Sequence, residues 1–333
     1  MFIPTSYTIA IIMCFITMLC WGSWANTQKM LKGNWPFPLF YWDYSIGVLL
    51  FSLVLALTAG SCGDTGRSFL NDISQADAEW LTSAFIGGAV FNLANILLVA
   101  AIEIAGLAVA FPVGIGLALV LGVITTYLAT GEGNVPLLAL GVGMICVAII
   151  LSAVAYSKLG GKKTSHWKGI LISLVAGVLM GFFYSFVAKS MAKADAEGML
   201  EVGKLTPYTA VVMFSLGLFI SNFIFNVAMM FKPLDGRPST FKEYFCGSMR
   251  THLIGILGGI IWSCGMNFNI IAAPVADPAL AYGLGQGATM VSAFWGVFVW
   301  KEFKGAPKSV NVIIGLMFVF FLSGLAVLVS SKF

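Results

Sequence analysis

Long, almost uninterrupted apolar runs alternate with short polar stretches along the whole chain. A bilayer core about 30 Å thick takes about 20 helical residues to cross. Ten runs reach that length, near 6–27, 40–60, 80–102, 105–129, 136–156, 168–190, 207–230, 251–272, 278–300 and 309–330. They do not alternate with period two, as the strands of a membrane barrel would. The pattern predicts an all-α polytopic membrane protein with ten transmembrane helices. The third-to-fourth and eighth-to-ninth connections are very short, so each of those pairs forms a tight hairpin. The longest loops, 61–79 and 231–250, are polar and carry Gly, Pro and Asp. No stretch between spans is long enough to fold as a separate domain. Residues 1–25 lack a basic leading segment and a small-residue cleavage site, so they read as a retained first helix.

The two halves look related. "AFPVGIGLALV" (110–120) lines up with "AYGLGQGATMV" (281–291). Each follows a helix rich in glycine and asparagine, "GGAVFNLANILLVAA" (87–101) and "GGIIWSCGMNFNIIAA" (258–273). "WGSWANTQK" in the first span matches "MGFFYSFVAK" in the sixth more loosely. Five spans per repeat is an odd number, so the second repeat is inverted. The expected division is a first repeat over 1–156, a short cytoplasmic linker over 157–167 and a second repeat over 168–333. Inverted repeats with a central site are a common build of secondary transporters.

Composition fits this picture. The chain is 59% hydrophobic and only 10% charged, against about 25% charged in soluble domains. Lipid must therefore be its solvent. The basic residues lie scattered in short loops and form no patch for nucleic acid. Thirteen of the 18 Lys and Arg residues fall in loops 1–2, 5–6, 7–8 and 9–10. The positive-inside rule puts those loops in the cytoplasm and both termini outside a cell membrane. The six cysteines show no C-x-x-C pairing and read as small hydrophobes.

Charges within or beside spans are the first candidates for function. Lys29, Asp43 and Glu103 fall near the cytoplasmic ends of their helices, and Lys189 and Asp277 near the outer ends. Two gates are expected: Lys29 with Glu103 or Asp43 inside, and Lys189 with Asp277 outside. Snorkelling at helix ends is the alternative. A carboxylate that must lose its partner could also take up a proton, which would couple transport to pH. Nearer the middle of the spans the polar residues are neutral: Asn92, Asn95, Asn222, Asn226, Asn267, Asn269, Gln286 and Thr289. Buried amides need partners, so they face the bundle interior, either as glue between helices or as the lining of a cavity. Such a cavity suits an uncharged polar solute. Trp21, Trp24, Tyr184, Trp262, Tyr282 and Trp295 lie inside spans and could stack on a flat ring or a sugar face. The expected solute-binding set is Trp21, Trp24, Asn92, Asn95, Tyr184, Trp262, Asn267, Tyr282 and Gln286.

Several chemistries are excluded. "GLGQG" (283–287) and "GIG" (114–116) follow no strand, so they are not nucleotide loops; with Pro112, Pro274 and Pro278 they mark bends or close packing. His166 and His252 have no metal-ligand spacing. No nucleophile–base arrangement occurs. The expectation is no enzyme, no metal and no cofactor.

Ten helices in two five-helix repeats resemble the drug/metabolite transporter superfamily. Within it, "CWGSWANTQK" (20–29), "FYWDYSIGVLLF" (40–51) and "GGAVFNLANILLVAA" resemble the ureide permease family. Glucose/ribose and rhamnose porters look similar more distantly. The resemblance implies proton-coupled uptake of ureides such as allantoin, or of nucleobases; the porters imply sugars, and the superfamily also holds metabolite exporters. The plant ureide permeases carry a long central cytoplasmic loop, whereas loop 5–6 here is only "SKLGGKKTSHWK" (157–168). The combined expectation is an alternating-access importer of a small neutral polar solute, coupled to protons, embedded in the lipid bilayer. It leaves room for a homodimer.

Overall fold

The structure, a computed structural model, describes residues 1–31, 35–62, 66–105, 107–131, 134–158, 167–194, 199–234 and 236–331, without the side chains of 107–109, 111 and 112. Lys32, Lys162, Lys163, His166, Lys332, most of the expected linker and the side chain of Pro112 lie outside the described residues. The described chain is built from α1 (Tyr7–Ser23), α2 (Asn26–Lys29), α3 (Phe37–Leu57), α4 (Phe69–Gln75), α5 (Ala78–Ala105), α6 (Leu107–Thr130), α7 (Val135–Ser157), α8 (Trp167–Ser190), α9 (Pro207–Ser221), α10 (Phe225–Phe231), α11 (Phe241–Phe245), α12 (Met249–Ala276), α13 (Pro278–Gly285), α14 (Ala288–Phe294), a π-turn (Trp295–Val299) and α15 (Lys308–Ser330).

In lipid every backbone N–H and C=O must be satisfied within the protein, which leaves helices and closed barrels as spanning forms, and continuous apolar runs take the helical one. Polar caps set where they start. Ser6 begins α1, Asn134 begins α7, Thr206 begins α9 and Ser248 begins α12, each side chain accepting from an N–H of the first turn. Among the described residues, nine helices are long and apolar enough to cross a membrane, with α1–α2 and α9–α10 each counted as one. The fold is that of an all-α, polytopic membrane protein.

The remaining expected span, 278–300, is broken rather than continuous. α13 ends at Gly285, α14 starts at Ala288, and a π-turn follows. Glycines on both sides of Gln286 disfavour helix there. Across the break the Gly287 N–H bonds to Leu284 O at 2.9 Å and the Thr289 N–H to Gln286 O at 3.2 Å, three-residue turns in place of four-residue ones. The first span breaks similarly at Trp24–Ala25, where the Thr27 N–H bonds to Trp24 O at 3.1 Å.

Helices in lipid gain little from burying apolar surface, so close backbone packing matters more. At the α3–α12 crossing, a methyl on Gly47 would collide with Ile256 O, and one on Gly259 with Tyr44 O. At the α5–α9 crossing, a methyl on Gly88 would collide with Phe214 O, and one on Gly217 with Phe85 O. These four glycines let two helix pairs touch backbone to backbone.

The loops at the two faces are tied down by charge. Asp72 on α4 is fully buried. It accepts from Arg67 Nε at 2.8 Å and from the Thr206 N–H at 2.7 Å. The other guanidinium nitrogens of Arg67 donate to the carbonyls of Leu200, Glu201 and Lys204. Loop 61–77 is thereby stapled to loop 191–206. At the opposite face Tyr244 on α11 donates to Asp43 Oδ1 at 2.7 Å, and His252 Nδ1 lies 2.9 Å from Asp43 Oδ2. Burial and the Asp43 carboxylate hold the Tyr244 phenol above its ordinary pKa.

Candidate solute-binding cavity

A cavity of about 340 Å³ lies among α1, α2, α5, α7, α8, α12 and the broken span. Its floor is aromatic and deeply buried: Phe91 is 5% exposed, Phe183 1% and Trp262 4%. Its mouth carries the more exposed Lys29, Tyr156, Trp300 and Glu302.

Trp262 is the centre of the floor. Phe91 lies 4.7 Å from it between ring centroids, Trp21 5.8 Å and Phe214 5.9 Å. Trp21 enters edge-on between Gly265 and Gly285, where side chains would collide with its ring. Trp24 sits at the end of α1 and packs against Tyr44 at 4.7 Å. The Trp262 N–H has no hydrogen-bond partner among the described residues, although the ring lines the cavity.

The lining also carries neutral polar residues, Asn95, Gln286 and Thr289 among them. The Asn95 amide nitrogen donates to Tyr41 Oη at 3.1 Å, leaving its carbonyl oxygen for another donor. Gln286 stands at the helix break, only 8% exposed, and its side-chain amide has no partner among the described residues. Thr289 Oγ1 donates to Gln286 O at 3.0 Å and can still accept. A buried polar group without a partner costs free energy, so its presence in a cavity marks a ligand or water contact. Among the described lining residues, Lys29 and Glu302 at the mouth are the only formal charges.

Of the residues expected to bind solute, Trp21, Trp24, Asn95, Trp262 and Gln286 line this cavity. Asn92, Tyr184, Asn267 and Tyr282 do not; they are buried between helices. Asn92 donates to Ser221 Oγ at 2.8 Å, Tyr184 to Asn269 Oδ1 at 2.6 Å, and Asn267 to Ser263 O at 2.8 Å. The Tyr282 hydroxyl reaches Ala118 O at 3.1 Å, its ring filling the notch left by Gly122.

Among the charged candidates, Lys29 bonds to Glu302 Oε1 at 3.0 Å, not to Glu103 or Asp43. Asp43 is taken by His252 and Tyr244. Glu103 lines a second cavity of about 350 Å³ with Asn226 and Arg237. Lys189 is exposed at the end of α8, and Asp277 holds a positive φ of 77° between α12 and α13.

Phe91, Phe183, Tyr156, Trp300 and Glu302 line the cavity without having been singled out from the sequence, whereas Thr289, expected as a neutral polar residue of the interior, lines it too. The repeat expected from the sequence carries a signal for two of them. Aligning the paired strings sets Phe91 opposite Trp262 and Phe183 opposite Trp24. Glu302 lies in a loop, where no periodicity marks it.

A bundle of apolar helices with a broken span beside a largely uncharged cavity is a build suited to passing small solutes across a membrane. The chain belongs to the ureide permease family, whose model matches residues 158–331, which makes it a transporter of small solutes and not an enzyme. Ureide permease 2 of Arabidopsis thaliana is 24% identical over 389 residues, covering 97% of this chain and 97% of that protein. Ureide permease 5 of the same plant is 24% identical over 379 residues, covering 93% of this chain and 91% of that one. The glucose uptake protein GlcU of Bacillus subtilis (strain 168) is 23% identical over 241 residues, 70% of this chain and 74% of that one. A solved protein crystal structure shares the fold at a TM-score of 0.62 and 17% identity, covering 96% and 95% of the two chains.

Proposed function

We propose that this transporter imports a small, neutral, polar and flat solute, ureide-like or nucleobase-like, by alternating access across the cell membrane. The lining of the cavity carries the reading. Aromatic rings around Trp262 offer faces to stack on. The Asn95 carbonyl and the Gln286 amide offer acceptors and donors to a ring edge bearing N–H and C=O groups. An ionic solute would want a fixed counter-charge within the membrane, and the inner lining described here has none. Trp21, Trp24, Asn95, Trp262 and Gln286 contact the solute. Asn92, Tyr184, Asn267 and Tyr282 hold the helices that form its walls.

Helix pairing supports two inverted repeats over 1–156 and 168–333. α3 packs on α12 as α9 packs on α5, and α1 packs on α12 as α8 packs on α5. The Gly47–Gly259 and Gly88–Gly217 crossings correspond in the same way. In this reading both termini are extracytoplasmic, Asp43 and Glu103 are the carboxylates of proton coupling, and Lys189 with Asp277 closes the outer face.

A sugar is the second reading. The likeness to a glucose uptake protein favours it, and stacked tryptophans also fit the apolar face of a pyranose. A thermal-shift screen of the purified protein with allantoin, uracil, adenosine, glucose and ribose separates the two, because a ligand that binds only the folded state raises its apparent stability. Stabilisation by allantoin or uracil is the expected result. Stabilisation by sugars alone rejects the ureide reading.

A further inference from the structure

The mouth of the cavity is crossed by one connected set of side chains. Lys29 Nζ lies 3.0 Å from Glu302 Oε1, and Tyr156 Oη donates to Glu302 Oε2 at 2.8 Å. The ammonium also sits 5.0 Å above the Trp300 ring, whose N–H donates to Asn26 Oδ1 at 2.6 Å. These contacts join the end of the first span, the end of α7 and the turn after the broken span. We propose that Lys29 and Glu302 are the latch that closes this face of the cavity and must part in every transport cycle. Tyr156 is the positioning residue that holds Glu302 within reach of Lys29.

The local backbone is shaped for this contact. Lys301 adopts a left-handed φ of 54°, which reverses the chain immediately before Glu302. The Glu302 N–H then bonds back to Gly296 O at 2.9 Å. A side chain on Gly296 would come within 2.5 Å of Tyr156 Oη and 2.8 Å of Glu302 Oε2, so the glycine makes room for both. A non-glycine residue at positive φ is costly, and here it serves to aim the carboxylate into the mouth.

The latch also stands on the parts of the molecule best able to move. α2, which carries Lys29, is separated from α1 by the break at Trp24–Ala25. Glu302 follows a π-turn and lies beyond the break at Gln286–Gly287. Each half of the latch can therefore swing about a discontinuity in its own span while the rest of that span stays packed. The Lys29 and Glu302 side chains are 49% and 30% exposed. Ion pairs this exposed are weak, so the pair can open within a transport cycle, whereas a deeply buried pair would hold the mouth shut. Charge attraction brings the two segments together; Trp300 and Asn26 fix where they meet.

The inference rests on the central cavity being the transport path, and the test separates the two. Full-length protein is reconstituted with exposed Cys62 and Cys246 replaced by serine and with Ser152→Cys in the cavity wall. Reaction of Cys at 152 with a membrane-impermeant methanethiosulfonate reports how open the mouth is, after subtracting the rate without Ser152→Cys. Lys29→Gln and Glu302→Gln are expected to raise that rate at least five-fold, and Tyr156→Phe by an intermediate factor. The swapped pair Lys29→Glu with Glu302→Lys is expected to bring it back within two-fold of the parent. Unchanged rates in the single variants overturn the latch. So does a swapped pair as reactive as the singles, since charge pairing would then not be what closes the mouth. Uracil uptake is measured before and after labelling of the parent. Uptake that survives full labelling rejects the cavity as the path, independently of the labelling rates.

Discussion

Trp21 lies nearly parallel to Trp262, with ring centroids 5.8 Å apart and planes inclined by 13°. The pair joins the first span to the eighth and builds one wall of the cavity from both halves of the chain. A flat solute lying against Trp262 would meet a surface already set by its neighbours, with little side-chain freedom left to lose.

Trp262→Ala removes that surface. Transport affinity should fall by at least ten-fold, while Trp262→Phe keeps most of it. Truncating a buried Trp costs about 3–5 kcal/mol of stability, so the KM for uracil is compared only among variants whose melting temperature in detergent stays above assay conditions. A Trp262→Phe variant as impaired as Trp262→Ala argues that ring area is not what binds the solute.

Gln286→Leu separates binding from folding. The amide has no protein partner among the described residues, so its loss should leave the melting temperature nearly unchanged. One hydrogen bond to solute is worth about 1 kcal/mol, a roughly five-fold rise in KM. A large drop in melting temperature with an unchanged KM assigns Gln286 to structure instead.

Gly88→Val and Gly259→Val place side chains against Phe214 O and Tyr44 O. Neither carbonyl can withdraw without parting two helices, so both variants should fail to accumulate as folded protein. Gly116→Ala, with nothing within 4 Å of the added methyl, should express normally. Size-exclusion profiles of the three decide the matter.

Asp72→Asn breaks the ion pair with Arg67 but keeps the volume. The Arg67 side chain left behind is 20% exposed and keeps its three carbonyls, so the loss is smaller than the ~3–5 kcal/mol of breaking a fully buried pair. The melting temperature should fall clearly, and loop 191–206 should be cut sooner by protease. Arg67→Lys should fall nearly as far, because one ammonium cannot reach the three carbonyls the guanidinium holds.

The Tyr244 phenol is held above its ordinary value of 10.0 by burial and by Asp43. A raised pKa in the folded state means the contact is at full strength below about pH 10 and weakens as the pH climbs further. Proteolysis of loop 231–250 should therefore accelerate on the alkaline side. Tyr244→Phe should be cut faster already at neutral pH and lack the alkaline step contributed by this phenol.

The sequence yields the spans and the fold class because lipid forces a simple code: about 20 apolar residues per crossing. It also yields the family, through motifs in the first three spans. The side chains that face the cavity are harder to read. A membrane helix is apolar all round, so no stripe marks its inner face. Asn92 and Asn95 lie less than a turn apart on α5, yet one bonds to Ser221 and the other borders the cavity. The break at Gln286 was visible only as a glycine-rich string, equally fit for tight packing. Glu302 could not be paired with Lys29 from the sequence, because the pairing depends on a π-turn and a left-handed lysine that leave no periodic trace.

The reciprocal glycine crossings have a mechanical consequence. Where α3 meets α12 and α5 meets α9, backbone rests on backbone, with no flexible side chains between to absorb a shift. Those four helices form a stiff frame, and motion is left to the parts hung from it: α2, the broken span and the turn that carries Glu302. In the proposed alternating-access cycle, speed would then follow the few hinges and not the bulk of the bundle. Changes at Trp24–Ala25 or Gln286–Gly287 should alter turnover without loosening the frame.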